Sequence, residues 1–386
     1  MPSNRFWPSA FYFFYFAAIA AVIPFIALYY QSLGFSGGQI GLLFGVSPLI
    51  GLVASPFWTG LADAGQRHKR ILFITIGAVV LLMALVPFIR PFGLLLPLIF
   101  AHTFFGAPIV ALVDSATLSL LGERRDLYGR IRLWGTIGWG LSAPLVGELL
   151  QRFGIRWMFW IYALLMGVNL ITVRRLNFVK RVSLTPYWRG IRDLLANRRW
   201  IFFLVVAFVA GIGFALHNNY LAVLLEGMGA SKSIMGIAIT ISIISELPVM
   251  FFSNFLLRRF KAQGLLFVAL AVAGVRCLLY FLAGNPLTVV TIQLLHGLTF
   301  PLMWIAGVTY ASENAPPGFG ATAQGLFGAT MTGFGVATGG LLGGLLLDRL
   351  GVVQMYAVGG AILLTSLLIL ITLNRSLGIM AKQQLP

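Results

Sequence analysis

The chain has 386 residues, 59% of them apolar and 10% charged, whereas a soluble domain carries roughly 25% charged residues on a surface that must face water. That balance excludes an ordinary soluble protein. The formal charge of +17 would suggest nucleic acid if it formed one patch, but the basic residues lie in short segments between long apolar runs, which argues against that reading.

A hydrocarbon core about 30 Å thick takes about 20 apolar residues of helix to cross. On that measure, spans are predicted near 9–31, 38–62, 70–90, 94–121, 131–152 and 156–174, then near 200–225, 231–257, 262–283, 286–312, 319–347 and 351–374. The fold class is therefore an all-α membrane protein with twelve transmembrane helices. The first run lacks a convincing cleavage site and is read as a helix that stays in place. With the amino terminus placed in the cytoplasm, most of the 27 Lys and Arg lie inside, and Arg90, Arg152, Arg156, Lys232 and Arg349 lie in external loops. That asymmetry predicts a multi-pass protein of the cell (inner) membrane with both termini cytoplasmic.

Charges inside a bilayer are expensive, so each one is a functional candidate by default. In chain order they are Asp114 in span four, Arg132 early in span five, Glu246 in span eight and Arg276 in span nine. His102, His217 and His296 fall in spans four, seven and ten. Two carboxylates and two guanidiniums cancel, as a closed low-dielectric cavity favours. Pairing that merely holds helices together is the bland reading of the set, and for His102 and His217 a satisfied core histidine is at least as good a reading. Cys277 lies within a span and has no partner cysteine in the chain. Gly333, Gly335, Gly339, Gly340, Gly343 and Gly344 line span eleven, where small residues let helices approach closely.

The polar stretch from Arg174 to Arg199 divides the chain into 1–174, a linker at 175–199, and 200–386. Thr185-Pro186 reads as a helix start, and Trp188, Ile191 and Leu195 recur at helical spacing opposite arginines. An amphipathic helix on the inner leaflet is expected, with a flexible linker as the alternative. The halves also resemble each other. Leu33-Gly34-Phe35-Ser36 with Ile40-Gly41 matches Met228-Gly229-Ala230-Ser231 with Met235-Gly236, and Gly147 to Gly154 matches Gly344 to Gly351. Parallel six-span repeats related by a pseudo-two-fold along the membrane normal are the organisation of the major facilitator fold. That organisation implies two six-helix bundles, a solute site between them at mid-depth, and alternating access by rocking.

The loop Gly60-Leu61-Ala62-Asp63-Ala64-Gly65-Gln66-Arg67-His68-Lys69-Arg70 resembles the major facilitator signature, with Thr59 and Gln66 where that family usually has Gly. The resemblance implies gating or structural roles for Asp63, Arg67 and Lys69, with the Asp capping a helix end and the basic residues at the headgroups. Tyr128-Gly129-Arg130-Ile131-Arg132-Leu133-Trp134-Gly135-Thr136-Ile137-Gly138-Trp139 is similar to span five of the lactose permease and phenylpropionate permease branch. Ser245-Glu246-Leu247-Pro248, Leu256-Leu257-Arg258-Arg259 and Leu295-His296-Gly297-Leu298-Thr299-Phe300 resemble the phenylpropionate permease. The likeness to lactose permease implies that the Asp114 and Arg132 positions bind sugar hydroxyls and that the Trp139 position stacks on a sugar ring. Arg132 and Trp139, seven apart, share a helix face. This chain departs from lactose permease at Thr299, where a proton-carrying carboxylate stands, at Gln293, where a lysine stands, and at His217-Asn218-Asn219-Tyr220, where charges stand.

The expected activity is uptake of a small organic solute, an aromatic carboxylate or a sugar, coupled to protons. Glu246 is the first choice of proton carrier, with Asp114 the other, and His296 as a polar neighbour that relays or binds. Solute contacts are expected from Asp114, Arg132, Trp139, Asn218, Asn219, Tyr220, Arg276, His296 and Thr299, with an arginine holding a carboxylate and Trp139 or Tyr220 stacking on a ring. Sodium is the alternative coupling ion. A proton-driven exporter is the alternative direction, since Gly138, Gly140, Ala143-Pro144 and Gly147 resemble an antiporter signature in which Glu148 replaces the last Gly. No His-Glu-x-x-His run, Gly-x-Ser-x-Gly elbow or phosphate loop is present, so an enzyme is not expected, nor a metal, cofactor or nucleic-acid partner. The expected partners are the solute, protons and the lipid bilayer, with the chain acting as a monomer.

Overall fold

The computed structural model describes residues 5–122, 124, 127–176, 194–316 and 319–377, and among these there is no strand. The expected amphipathic helix in the linker lies almost wholly outside the described residues. The first half contains α1 (Phe6–Val22), α2 (Ile26–Ser32), α3 (Gly37–Gly65), α4 (His68–Leu85), α5 (Phe92–Gly106), α6 (Ile109–Leu121), α7 (Tyr128–Phe153) and α8 (Trp157–Arg174). The second contains α9 (Arg198–Gly227), α10 (Lys232–Phe251), α11 (Ser253–Leu282), α12 (Pro286–Ile292), α13 (Phe300–Glu313), α14 (Gly320–Gly328) and α15 (Val336–Leu377).

Several predicted spans are split where the α-helix breaks or changes its hydrogen-bond pattern. Pro24 has no N–H to donate, and the first span breaks there into α1 and α2. The tenth is α12 and α13 joined by a 3₁₀ turn over Gln293–Leu298. The eleventh is α14, a π-helical stretch over Ala329–Gly335 and the first part of α15. Ten described helices or helix series are long and apolar enough to cross a membrane. Helix α7 falls outside that ten, because Arg130, Arg132, Glu148 and Arg152 interrupt its apolar run. The last of the ten, Thr322–Ser376, holds two spans, since Gly351 breaks the helix at φ 80°. Adding α7 and dividing that series recovers the twelve predicted spans. Their outward faces carry bare apolar side chains, such as Phe251 at 82% exposure and Val53 at 72%, which suits lipid rather than water.

The internal repeat is written in the backbone. Gly34 (φ 79°) and Gly229 (φ 76°) make equivalent left-handed turns, as do Gly154 (φ 96°) and Gly351 (φ 80°). Left-handed geometry strains any residue with a Cβ, so glycine is the natural occupant. After the first turn Ser36 caps α3 in a capping box with Gln39, satisfying free N–H groups at the helix start. After its counterpart the Ser231 hydroxyl accepts from the Ile234 N–H at 3.3 Å.

The chain forms two compact units, Met1–Ser183 with Leu225–Thr240, and Leu184–Leu224 with Ile241–Pro386. This differs from a simple division at the linker, because the turn at Gly229 and the start of α10 pack with the first unit. Glycine permits it: a Cβ on Gly236 would lie 2.5 Å from the Ala143 carbonyl oxygen. The Ser233 hydroxyl donates to Glu148 at 2.5 Å and the Thr240 hydroxyl to the Gly140 carbonyl at 2.9 Å. In the rest of the first unit α1 lies against α7 and α8, and α3 against α5. In the second unit α11 lies against α13 and α15. The glycine run of span eleven packs as expected, with Gly339 against Ile212 and Gly343 against the Tyr220 ring of α9.

Candidate functional site

The first unit carries its acid and its guanidinium on α6 and α7, with α1 between them. Asp114 accepts a short hydrogen bond from the Tyr12 hydroxyl. The Arg132 guanidinium lies over the Tyr12 ring at 5.1 Å and over the Phe16 ring at 4.3 Å. Tyr12 thus stands between the two, using its hydroxyl toward the acid and its face toward the cation. No described ion pair joins Asp114 to Arg132. Among the described residues the Arg132 guanidinium has ring contacts but no hydrogen-bond acceptor. Trp139, half-buried, sits 6.4 Å from Phe16, so a guanidinium without an acceptor among the described residues and an aromatic wall occur together.

The second unit carries a continuous hydrogen-bonded cluster. Glu246 of α10 meets the His296 Nε2 at 3.1 Å, and the His296 Nδ1 meets the Arg276 Nη1 at 3.0 Å. The same Nη1 donates to the Thr299 hydroxyl at 3.3 Å, and Nη2 makes a short bond to the Gln293 side-chain oxygen. Arg276 is 2% exposed, and its Nε has no partner. A guanidinium only donates, so the His296 Nδ1 must accept. The proton of the neutral ring then sits on Nε2 and is donated to Glu246. A second proton on Nδ1 would point at the guanidinium, donor against donor. In this geometry His296 connects the acid to the guanidinium.

The 3₁₀ turn puts these side chains in register. Gly297 lies directly against the Ser245 carbonyl of α10, where a Cβ would collide, and the Ser245 hydroxyl accepts from the Gly297 N–H at 3.0 Å. A tight turn at a close crossing brings Gln293, His296 and Thr299 toward α10 and α11 together. Such irregular turns inside helices often mark functional positions.

The remaining candidates are placed elsewhere. Tyr220 is wholly buried, donating to the Gly340 carbonyl at 2.6 Å and packing on Gly343, so it offers no free face for a ring and serves helix packing instead. Asn218 and Asn219 are half-buried, and the Asn219 amide nitrogen has no partner. His217 donates from Nδ1 to the Gly213 carbonyl at 2.6 Å and faces the Cys277 sulfur at 3.4 Å, and His102 meets the Tyr162 hydroxyl at 3.0 Å. Both have the satisfied-core environment. In the loop, Asp63 accepts from the His68 ring at 2.7 Å rather than capping backbone N–H groups. The capping falls to Lys69, whose ammonium donates to the Arg174 carbonyl at the end of α8 at 2.6 Å. Arg67 follows the left-handed Gln66 (φ 50°) and lies under Gly65.

Sequence reasoning missed Tyr12 and gave Gln293 no role beyond a departure. Tyr12 sits in the run Phe11-Tyr12-Phe13-Phe14-Tyr15-Phe16, where a hydroxyl among phenylalanines was the available signal. Gln293 was signalled by an amide inside an apolar span, since buried polar groups need partners.

A family model described as "MFS_1 like family" matches residues 6–358. The maltose permease of Geobacillus stearothermophilus is 27% identical over 368 residues, covering 95% of this chain and 93% of that protein. A protein of Escherichia coli (strain K12) named "Probable 3-phenylpropionic acid transporter" is 26% identical over 324 residues, covering 80% and 82%. The crystal structure of the nucleoside transporter NupG superposes with a TM-score of 0.86 at 16% identity, covering 98% of this chain and 99% of that one. The last match speaks to the fold alone.

Proposed function

Since the chain belongs to the MFS_1 like family of major facilitator transporters, we propose that it takes up a small organic anion, best an aromatic carboxylate, by proton symport across the cell membrane. It is a multi-pass secondary transporter and not an enzyme. Glu246 is the proton carrier in this reading. The observation that carries it is the Glu246–His296–Arg276 chain of hydrogen bonds, which ties an acid that must gain and lose a proton to a buried cation.

Arg132 supports the anionic part of the reading. Its charge lies on aromatic faces, with no acceptor among the described residues, and a planar guanidinium suits a carboxylate. Phe16 and Trp139 beside it suit a ring. Sugars and nucleosides, named for related proteins and for the matched fold, are the competing solutes. Both termini are cytoplasmic in this reading and the working unit is the monomer. Glu246→Gln in proteoliposomes should abolish uphill uptake driven by a proton gradient while sparing solute exchange. Unchanged accumulation sinks the assignment. Efflux from the face that symport should load would instead favour the exporter.

A further inference from the structure

The amide of Gln293 is wholly buried on the 3₁₀ turn and has a partner on every side. Its oxygen accepts from the Ser242 hydroxyl at 2.8 Å and from Arg276 Nη2. Its nitrogen donates to the Tyr280 hydroxyl at 2.8 Å and toward the Val289 carbonyl at 3.4 Å. Two of these partners fix which way the amide faces. Arg276 can only donate and the Val289 carbonyl can only accept, so the oxygen must face the guanidinium.

We propose that Gln293 is the positioning residue of the proton-coupling cluster: it aims the Arg276 fork so that Nη1 faces the His296 Nδ1 and holds that imidazole in its Nε2-protonated form against Glu246. The inference rests on the proposed role of Glu246. With Nη2 anchored on Gln293, the planar guanidinium cannot turn about its own axis without breaking a buried bond, and Nη1 stays within reach of both His296 and Thr299. With the anchor removed, the fork is free to turn and Nδ1 loses its donor. The alternative tautomer then places the bare Nε2 lone pair against Glu246. That arrangement requires a proton on the carboxyl, so the tautomer of His296 and the charge of Glu246 change together. The other titratable or charged groups around Arg276 are His217, Cys277, Tyr280 and Tyr356. His217 is committed through Nδ1 to Gly213, and none of these four hydrogen-bonds to His296. An amide at position 293 aims the cation without adding a charge, which a lysine or a carboxylate there would do.

The test reads the imidazole directly. Heteronuclear NMR of the purified full-length protein with isotope-labelled histidine nitrogens distinguishes the two neutral tautomers from imidazolium. The His296 signal is assigned by its loss in His296→Gln. The native protein should show a single Nε2–H tautomer. Gln293→Leu should raise the share of the Nδ1–H or doubly protonated form about tenfold, the size expected from losing one hydrogen bond to a charged group. Gln293→Glu keeps an acceptor for Nη2 and should restore the Nε2–H form, which a merely structural role for the amide would not predict. It also serves as the reading if the leucine variant does not fold. An unchanged tautomer in Gln293→Leu, or failure of Gln293→Glu to restore it, overturns the proposal. Because no transported solute enters this measurement, its outcome is separate from that of the Glu246→Gln uptake experiment.

Discussion

The two units each place an acid and an arginine among membrane-spanning helices, and they do it in different ways. In the first, Tyr12 stands between Asp114 and Arg132, and the cation rests on ring faces with no acceptor among the described residues. In the second, an imidazole joins Glu246 to Arg276, and Nη1 and Nη2 of the guanidinium are held by His296, Thr299 and Gln293. A cation held by the protein's own acceptors is part of its scaffold and serves to tune its neighbours. One whose donors are open is suited to an outside anion. The contrast suggests a division of labour, with solute recognition centred on Arg132 and proton coupling on Glu246.

That contrast breaks most readily at the two arginines. Arg276→Ala strips partners from the buried Gln293 and Thr299 and the half-buried His296 and should destabilise the protein by about 3–5 kcal/mol, the range for breaking a buried charged network. Arg132→Ala loses ring contacts and should cost only about 1 kcal/mol. Thermal melts of the two variants in detergent check this, and equal losses would erase the distinction. The 3₁₀ crossing should be nearly as sensitive as Arg276. Gly297→Ala drives a methyl into the Ser245 carbonyl and should cost about 1–3 kcal/mol by overpacking, seen in the same melts together with a disturbed His296 signal. Binding sharpens the comparison. Arg132→Lys keeps the charge but loses the planar fork, and should weaken the affinity for 3-phenylpropionate about tenfold, a change of ~1.4 kcal/mol, while leaving the His296 tautomer as it was. The smallest effect is expected at a histidine outside both clusters. His102→Phe loses one hydrogen bond to Tyr162, worth about 0.6 kcal/mol within a membrane, and should barely move the melting temperature.

Much of the architecture was legible because lipid is a demanding solvent. Long apolar runs gave the spans, and Gly34, Gly154, Gly229 and Gly351 marked turns that the structure makes. The break at Pro24 was readable in principle from a missing donor inside the first span. The high cost of intramembrane charge singled out Asp114, Arg132, Glu246, Arg276 and His296 before any fold was known. Their partners were harder to read. Tyr12 and Asp114 are separated by 102 positions, and nothing local says which of several aromatic residues on α1 will turn toward the acid. Tyr220 was expected to face a solute ring, but its own helix face was taken by the glycines of span eleven. Gln293 owes its place to a 3₁₀ turn created by Gly297 meeting α10, a tertiary event with no signature in the hydropathy pattern.

The paired left-handed glycines have a consequence for the history of the chain. When a duplicated stretch drifts, side chains can be exchanged freely wherever a lipid-facing position asks only for oiliness. A positive backbone angle, which glycine adopts without strain and other residues seldom do, has less freedom. Residues 34 and 229, and residues 154 and 351, share a positive φ although the residues around them differ. A search for vanished kinship between halves of other permeases would do well to compare torsions before it compares sequences.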